Sequence, residues 1–476
     1  MNNNFRKTKI VCTMGPASLK EDVLEKMFRA GMNIARFNFS HGTHEYHKEG
    51  MELFRRVRDR LKLPAAVLLD TRGPEIRIGT FADGGIMLEK GNTFTFTTLD
   101  VEGDSERVSV TYKKLPAELK AGDKLLLDDG RLELHVEELT DTDVVCRVIH
   151  GGELTGRKGI NIPNVHLDMP YISEQDERDL RFGIEMDVDF VAASFVRSKS
   201  DVIALRKLLN YYGGHKIKII AKIENAEGVD NFDEILANCD GIMVARGDMG
   251  VEIDFEKLPG IQKKFIRKCY QAGKMVITAT QMLETMIHSK TPTRAEITDV
   301  ANAVFDGTSA VMLSGETAMG DHPAHVVGVM AKIAEQAERD ALEMGVYDGV
   351  RYDSDFFDLT NAICDAACTT ARDIRAKAII AVTNSGTTAR RVSKFRPSEP
   401  IVAATPDKKT FHQLSLSWGV FPVLALNQDD TERLFLHAID CARQLDIVNK
   451  GDKVVITAGV PLRQSGTTNL LKVQEV

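Results

Sequence analysis

The chain has 476 residues, 43% hydrophobic and 27% charged, with 36 Gly and only 14 Pro; this suffices for roughly two to four domains with buried cores and excludes mini-proteins, collagen-like repeats and disordered chains. Its 61 basic and 69 acidic residues leave a formal charge of -8, so a nucleic-acid partner is not expected, since no basic face is segregated to overcome the net repulsion. No apolar run reaches the roughly 18 residues of a membrane span, the stretch Met1–Lys7 lacks a signal-peptide core, and seven scattered cysteines form no Cys-x-x-Cys pair; a cytoplasmic protein without membrane partner, disulfide framework or structural zinc is expected.

In chain order, short runs rich in Val, Ile and Ala are each followed by polar or Gly residues and then by a longer amphipathic stretch. That alternation predicts a parallel sheet covered by helices. One residue per run gives Ile10, Ile34, Val67, Phe190, Ile219, Met243, Ile277 and Val311. Six of the seven intervals lie between 24 and 34 residues, the length of one strand-helix unit, and one is 123. Eight units predict an α/β fold of the (β/α)8 TIM barrel type, with an open doubly wound sheet as the alternative. The long interval predicts an insertion after the third strand. Ser18-Leu-Lys-Glu21 and Ser173-Glu-Gln-Asp176 have the form of capping boxes, and Gly31 and Gly273 stand where helices should stop. Inside the insertion, residues 70–168, the segments Thr93–Thr97, Arg107–Tyr112 and Leu132–Val136 alternate with period two, so it should be all-β. Ala378–Val382, Ile401–Ala404 and Val454–Thr457, with helices between them, predict a further α/β domain. The expected partition is a barrel over 1–69 and 169–345, the insertion at 70–168, and a C-terminal domain at 346–476.

Reactive groups of such a barrel sit at the carboxyl ends of its strands. Those ends read Arg36-Phe-Asn-Phe-Ser-His41, Asp70-Thr-Arg-Gly-Pro-Glu-Ile-Arg77, Lys222-Ile-Glu224, Arg246-Gly-Asp248, Thr278-Ala-Thr-Gln281 and Ser314-Gly-Glu-Thr317. Glu224 and Asp248 close consecutive strands, which lie about 5 Å apart, so their carboxylates can share a Mg²⁺ or Mn²⁺ that keeps positions open for substrate. Ordinary pairing of each acid with an Arg or Lys is the competing structural reading. Lys222 stands two residues before Glu224 and so faces the same way. With Arg36 and Arg77 it gathers positive charge around one mouth, which phosphoryl transfer requires more than it requires a nucleophile. Arg246-Gly-Asp-Met-Gly250 reads as a short turn, either a plain βα connection or one whose backbone N–H groups approach an anion.

The chain has no P-loop, no Rossmann glycine fingerprint and no nucleophile elbow. Thr383-Asn-Ser-Gly-Thr-Thr388 lies between an apolar strand and a helix. The hydroxyls of Thr383, Ser385, Thr387 and Thr388, with the backbone at Gly386, suit a regulatory anion, against a simple N-capped helix start. Arg463-Gln-Ser-Gly-Thr-Thr468 repeats the composition, and Cys364 with Cys368, four residues apart, reads as a core stripe.

The motifs Lys9-Ile-Val-Cys-Thr-Met-Gly-Pro16, Asn38-Phe-Ser-His41, Leu69-Asp-Thr-Arg-Gly-Pro-Glu-Ile-Arg77, Lys222-Ile-Glu-Asn225, Met243-Val-Ala-Arg-Gly-Asp248, Ala279-Thr-Gln-Met-Leu283, Pro292-Thr-Arg-Ala-Glu296, Met312-Leu-Ser-Gly-Glu316 and Ser465-Gly-Thr-Thr-Asn469 stand in one order. In that order the chain resembles the pyruvate kinase family over nearly its whole length. The resemblance implies a barrel A domain, a β-barrel B domain inserted after the third strand, and a C-terminal effector domain. It implies transfer of the phosphoryl group of phosphoenolpyruvate to ADP, giving ATP and pyruvate, the last step of glycolysis. Mg²⁺ (or Mn²⁺) would sit at Glu224 and Asp248, and K⁺ at Asn38, Ser40, Asp70 and Thr71. Lys222 would stabilise the phosphoryl group in flight, Arg36 would meet the substrate phosphate, and Gly247, Asp248 and Thr280 would hold the carboxylate end. Asn38, His41, Arg77 and Lys158 would lie toward the nucleotide, which would bring a second Mg²⁺. Thr280 and Ser314-Gly-Glu316 would serve the proton relay, and Glu75 is the residue type of K⁺-dependent members. A closing lid, a homotetramer and a sugar-phosphate or nucleotide effector complete the implied picture. Arg72 stands where Lys is common, Asn164 where Gly is usual and Met249 where Leu is common; none removes a charge from the site. A barrel lyase acting on a metal-held enolate and an idle effector-binding protein are the competing readings. The insertion and Lys222 oppose the first; the presence of both Lys222 and Glu224 opposes the second.

Overall fold

The computed structural model describes residues 5–128, 130–347, 358–428, 430–461 and 468–476. Eight parallel strands close into a barrel: β1 (Lys9–Thr13), β2 (Ile34–Asn38), β3 (Ala66–Asp70), β4 (Phe190–Ala193), β5 (Lys218–Ile223), β6 (Gly241–Ala245), β7 (Met275–Ala279) and β8 (Ala310–Leu313). Each of the eight run centres read from the sequence falls inside one of them. Neighbours in sequence are neighbours in space, β8 returns to β1, and β3 pairs with β4 across the insertion through Phe190 opposite Leu68. The strands are apolar along most of their length because helices cover one face and the barrel interior the other.

Val11, Ile34, Leu68, Phe190, Ala192, Ile220, Met243 and Ile277 belong to the buried cluster that fills the interior. Side chains alternate along a strand, so the next inward position after Leu68 is Asp70, after Ala192 it is Ser194, and after Ile220 it is Lys222. The register that packs the barrel thus delivers polar groups to its carboxyl end. The opposite end is stopped by Leu416, from a 3-10 turn (Leu414–Leu416), which is fully buried in the same cluster. Around it, Lys9 Nζ donates to the Val420 carbonyl at 2.7 Å, and Gln413 Nε2 to those of Lys216 at 2.8 Å and Asp189 at 3.1 Å.

The capping box expected at Ser173 is present: its hydroxyl accepts from the Asp176 N–H at 3.0 Å and the Asp176 carboxylate reaches back to Ser173. The one expected at Ser18 is not. The helix Glu21–Ala30 starts later, after an extended Lys20 without a side-chain cap, because Ser18 is held by Gly15 through both its hydroxyl and its N–H. Gly31 ends that helix with φ of 115°, and Gly273, at φ of 68°, stands two residues beyond the helix Leu258–Gln271. The expected turn at Arg246–Gly250 is instead a short helix, Arg246–Glu252.

Between β3 and β4, strands Ile76–Arg77, Gly159–Asn161, Lys124–Leu127, Leu132–Leu139, Asp143–His150, Thr93–Thr97 and Arg107–Ser109 pair in that spatial order. Just beyond the two edge strands, Ile78 bridges Val110, so the sheet curls closed around Phe94, Phe96, Leu125 and Leu134. After the barrel, β9 (Ala378–Val382), β10 (Ile401–Thr405), β11 (Val420–Leu424), β12 (Lys453–Ala458) and β13 (Leu470–Glu475) form a sheet in the order β11-β10-β9-β12-β13, with only β13 antiparallel. All seven cysteines are free thiols; Cys364 is buried and Cys368 half-buried, as a core stripe would have them. Among the described residues no helix is long and apolar enough to cross a membrane.

Candidate active site

Lys222, one of the last residues of β5, is the centre of the barrel mouth. Its Nζ donates to the hydroxyl of Ser194 at 2.7 Å and lies 3.0 Å from Asp70 Oδ1 and 3.0 Å from Glu224 Oε1. Burial opposes a charged lysine, but Asp70 and Glu224 outweigh it and hold the Lys222 pKa above its ordinary value. Arg36 binds the same acid from the other side, with Nε 2.5 Å from Asp70 Oδ2 and Nη1 donating to Thr13 Oγ1 at 2.9 Å. Burial would raise Asp70, yet the two cations bring its pKa below the usual carboxylate range. Two fixed positive charges therefore share one buried carboxylate at the floor of the mouth. Ser194 keeps the group in register, because its hydroxyl also donates to the Thr71 carbonyl at 2.7 Å and its N–H to Thr71 Oγ1 at 3.1 Å.

Glu224 is shifted the opposite way. Burial raises its pKa, Lys222 opposes this, and the like charge of Asp248 adds to the rise. Its second oxygen, Oε2, accepts the N–H of Phe195 at 2.6 Å, an alignment obtained by a left-handed φ of 53° just after β4. Two acids that repel each other beside one ammonium fit a divalent cation held between them. Among the described residues no three His, Cys, Asp or Glu side chains gather as a ready-made cage, so the pair would leave the other coordination positions to substrate oxygens and water, as Mg²⁺ prefers. Asn38 and Asp70 end β2 and β3 directly opposite one another, and Thr71 follows, an oxygen-only donor set that suits K⁺. Asn38 Oδ1 also accepts from the Ser40 N–H at 3.1 Å, which folds that loop over the rim.

Across the mouth, Thr280 and Gln281 after β7 both have left-handed backbone, φ of 68° and 54°, a costly conformation for non-glycine residues and one concentrated at functional sites. Arg246 holds them there, with Nη2 donating to the Thr280 carbonyl at 2.6 Å and Nη1 2.7 Å from Asp299. The Gly247 N–H donates to Thr280 Oγ1 at 2.8 Å, so in this state it is already engaged. Glu316 is buried beneath and accepts from the N–H groups of Ser314 at 2.6 Å and Leu283 at 3.2 Å; burial lifts its pKa. The Ser314 hydroxyl is buried and has no hydrogen-bond partner among the described residues.

A cleft of about 660 Å³ runs from this mouth along the insertion, lined by Asp248, Glu75, Arg77, Asp128, Lys158 and Asn161 among others. Arg77 Nε donates to Glu75 at 2.7 Å, and Lys158 pairs with Asp128. His41 does not line it; its backbone carbonyl lies 2.8 Å from His47 Nε2.

Comparison with known proteins then settles the lineage. The family model "Pyruvate kinase, barrel domain" matches residues 5–327, and "Pyruvate kinase, alpha/beta domain" matches 361–474. A pyruvate kinase of Clostridium acetobutylicum is 47% identical over 473 residues, covering 99% of this chain and 100% of the relative. One of Staphylococcus haemolyticus is 49% identical over 474 residues, covering 99% and 81%, and one of Staphylococcus aureus is 48% identical over the same span. The chain belongs to the pyruvate kinase family. It is accordingly an enzyme, a transferase of the kinase type.

Of the residues expected at the site, Lys222, Glu224, Asp70 and Arg36 are joined by direct contacts, Asp248 and Arg77 share the adjoining cleft, and His41 stands apart. Two residues of the mouth were not singled out from sequence, Thr13 and Ser194. Thr13 is the last residue of β1 and Ser194 directly follows β4, and neither strand end carries a charged residue; reading the hydroxyls at and just after the strand ends would have found them. In the C-terminal loop, Thr383 Oγ1 accepts from the Gly386 N–H at 3.0 Å, Ser385 and Thr387 hydroxyls lie 2.9 Å apart, and Thr388 Oγ1 is 2.8 Å from Thr468 Oγ1. Residues 463–467 of the second hydroxyl-rich loop lie outside the described residues.

Proposed function

We propose that this enzyme transfers the phosphoryl group of phosphoenolpyruvate to ADP, using Mg²⁺ (or Mn²⁺) and K⁺, and that the Lys222–Asp70–Arg36 arrangement is the observation that carries the reading. Glu224 and Asp248 would hold the divalent ion, and Asn38, Ser40, Asp70 and Thr71 the K⁺. When bound, these ions supply positive charge to anionic substrate oxygens. In the transfer, the P–O bond of the enol phosphate breaks as one forms to the terminal oxygen of ADP, leaving an enolate that takes a proton at carbon. Lys222, kept charged by its two acids, stands where negative charge on the migrating group develops. Arg36 takes the substrate phosphate. Thr280, with the backbone around Gly247 and Asp248, takes the carboxylate end, and its hydroxyl must exchange the Gly247 N–H for substrate. Thr280, Ser314 and Glu316 are the groups proposed to pass the proton. Arg77 and Lys158 face the nucleotide from the cleft wall, with Asn38 at the rim and His41 outside the cleft.

The insertion at 70–168 is proposed as a lid over the barrel at 1–69 and 169–345. Its return connection is fastened to the barrel by Arg197, whose Nη1 and Nη2 donate to the carbonyls of Leu167 at 3.3 Å and Met169 at 3.0 Å. Residues 346–476 are proposed to take a sugar-phosphate or nucleotide effector at Thr383, Ser385, Gly386, Thr387 and Thr388, in a homotetramer. Seven free thiols suit a cytoplasmic setting. The test is pyruvate release from phosphoenolpyruvate plus ADP, with Mg²⁺ and K⁺ omitted in turn. Activity should require both substrates and both ions, and turnover without the divalent ion would overturn the assignment of Glu224 and Asp248.

A further inference from the structure

The ends of β6 and β7 lie side by side, with Ala245 paired to Ala279, so the next residues of the two strands, Arg246 and Thr280, meet at the rim of the mouth. Thr280 and Gln281 are the only two consecutive non-glycine residues with left-handed backbone among the described residues. Such a pair persists only where its surroundings hold it there. The Gln281 side chain is exposed, so the hold comes from elsewhere. Arg246 supplies it: Nε donates to the Ala279 carbonyl at 3.2 Å and Nη2 to the Thr280 carbonyl at 2.6 Å, the peptide groups on either side of the first left-handed residue. The far edge of the guanidinium is anchored in the barrel, with Nη1 2.7 Å from Asp299 on the helix Arg294–Phe305 and 3.4 Å from Gln262 on the helix Leu258–Gln271. A planar fork of donors can serve all of these oxygens at once, which a single ammonium on a flexible stem cannot. The same Ala279 carbonyl accepts the Thr280 hydroxyl at 2.6 Å, while the hydroxyl oxygen accepts the Gly247 N–H at 2.8 Å. The direction of that hydroxyl is therefore set by a carbonyl that Arg246 holds.

We propose that Arg246 is a positioning residue, a clamp on the left-handed Thr280–Gln281 turn that presents the Thr280 hydroxyl and the Gly247 N–H to the carboxylate end of the substrate. This rests on the phosphoryl-transfer reading above, in which those groups take that carboxylate. A displacement of about 1 Å at a reacting centre costs on the order of 10²-fold in rate, so Arg246→Met in the full chain should lower kcat/KM for phosphoenolpyruvate by about 10- to 100-fold, with KM for ADP at its wild-type value. Arg246→Lys, which keeps the charge and loses the fork, should show the same selective defect. Gln281→Gly alone should leave turnover unchanged, because glycine adopts left-handed backbone without strain. Placed in either Arg246 variant, it should restore part of the loss, which it would not do if Arg246 served only as the ion-pair partner of Asp299. Mn²⁺ binding, followed by electron paramagnetic resonance without substrates, should be unchanged in Arg246→Lys. Wild-type kcat/KM in the Arg246 variants, a KM for ADP that rises in step with that for phosphoenolpyruvate, or double variants no better than the Arg246 singles would overturn the clamp. Weakened Mn²⁺ binding in Arg246→Lys would also overturn it, since Arg246 would then act through Asp248. A wild-type enzyme that forms no pyruvate would overturn the phosphoryl-transfer reading itself, an outcome seen before any variant is made.

Discussion

Lys222 has three partners within 3.0 Å and almost no exposure, so its ammonium cannot swing away when substrate arrives. A charge fixed before the reaction needs no reorganisation during it, which is why such groups matter more to turnover than to binding. Lys222→Met should therefore lower kcat by on the order of 10³ with a smaller change in KM. Steady-state kinetics on a variant shown to be folded by circular dichroism checks this, and unchanged turnover would remove Lys222 from the mechanism. At this scale the sequence was most informative: a lysine two residues before a glutamate on a strand can only share its face. It was silent on Ser194, whose partner Lys222 lies 28 positions away in the chain.

The helix Glu174–Glu185 shows how an element end can serve two purposes. Asp176 closes its capping box, and its Oδ1 also accepts the N–H of Gly73 at 3.1 Å, in the connection leaving for the insertion. Gly73 has φ of 77°, and a Cβ there would lie 2.9 Å from that of Ser194, so the connection must pass this close. Ser173→Ala should cost about 1 kcal/mol, as lost N-caps do. Asp176→Ala should cost about 2–3 kcal/mol, because the Gly73 donor is left buried and unpaired as well. Urea denaturation of the two variants checks the order, and equal losses would deny Asp176 its second role. The Ser173 box was legible because the helix start is local; Ser18 misled because its turn is fixed by Gly15 and by the contact of Ala17 with Ala318. The strands were legible for the same local reason, each burying both faces of a short apolar run.

At the scale of the molecule, the barrel is closed at its amino end by a side chain from another part of the chain. Leu416 is fully buried among the barrel's inner residues, and Lys9, Gln413 and Lys409 fasten the surrounding backbone. Leu416→Ala should lower stability by about 2–5 kcal/mol, as a cavity in a core that cannot collapse does. Differential scanning calorimetry should show the loss, and a stability change under about 1 kcal/mol would mean that the barrel floor closes without it. None of this was legible in advance: the 3-10 turn that carries Leu416 has no periodicity, and its destination depends on how two sheets dock.

The route from β3 into the insertion begins at Thr71, whose carbonyl, N–H and hydroxyl are engaged by Ser194 and Ala192, and Ser194 in turn holds the ammonium of Lys222. The connection into the insertion is therefore anchored in that triangle and again at Gly73, whose N–H is held by Asp176. If the insertion closes as the proposed lid, that motion would start beside the hydroxyl that holds the Lys222 ammonium, with no long relay between gate and reagent.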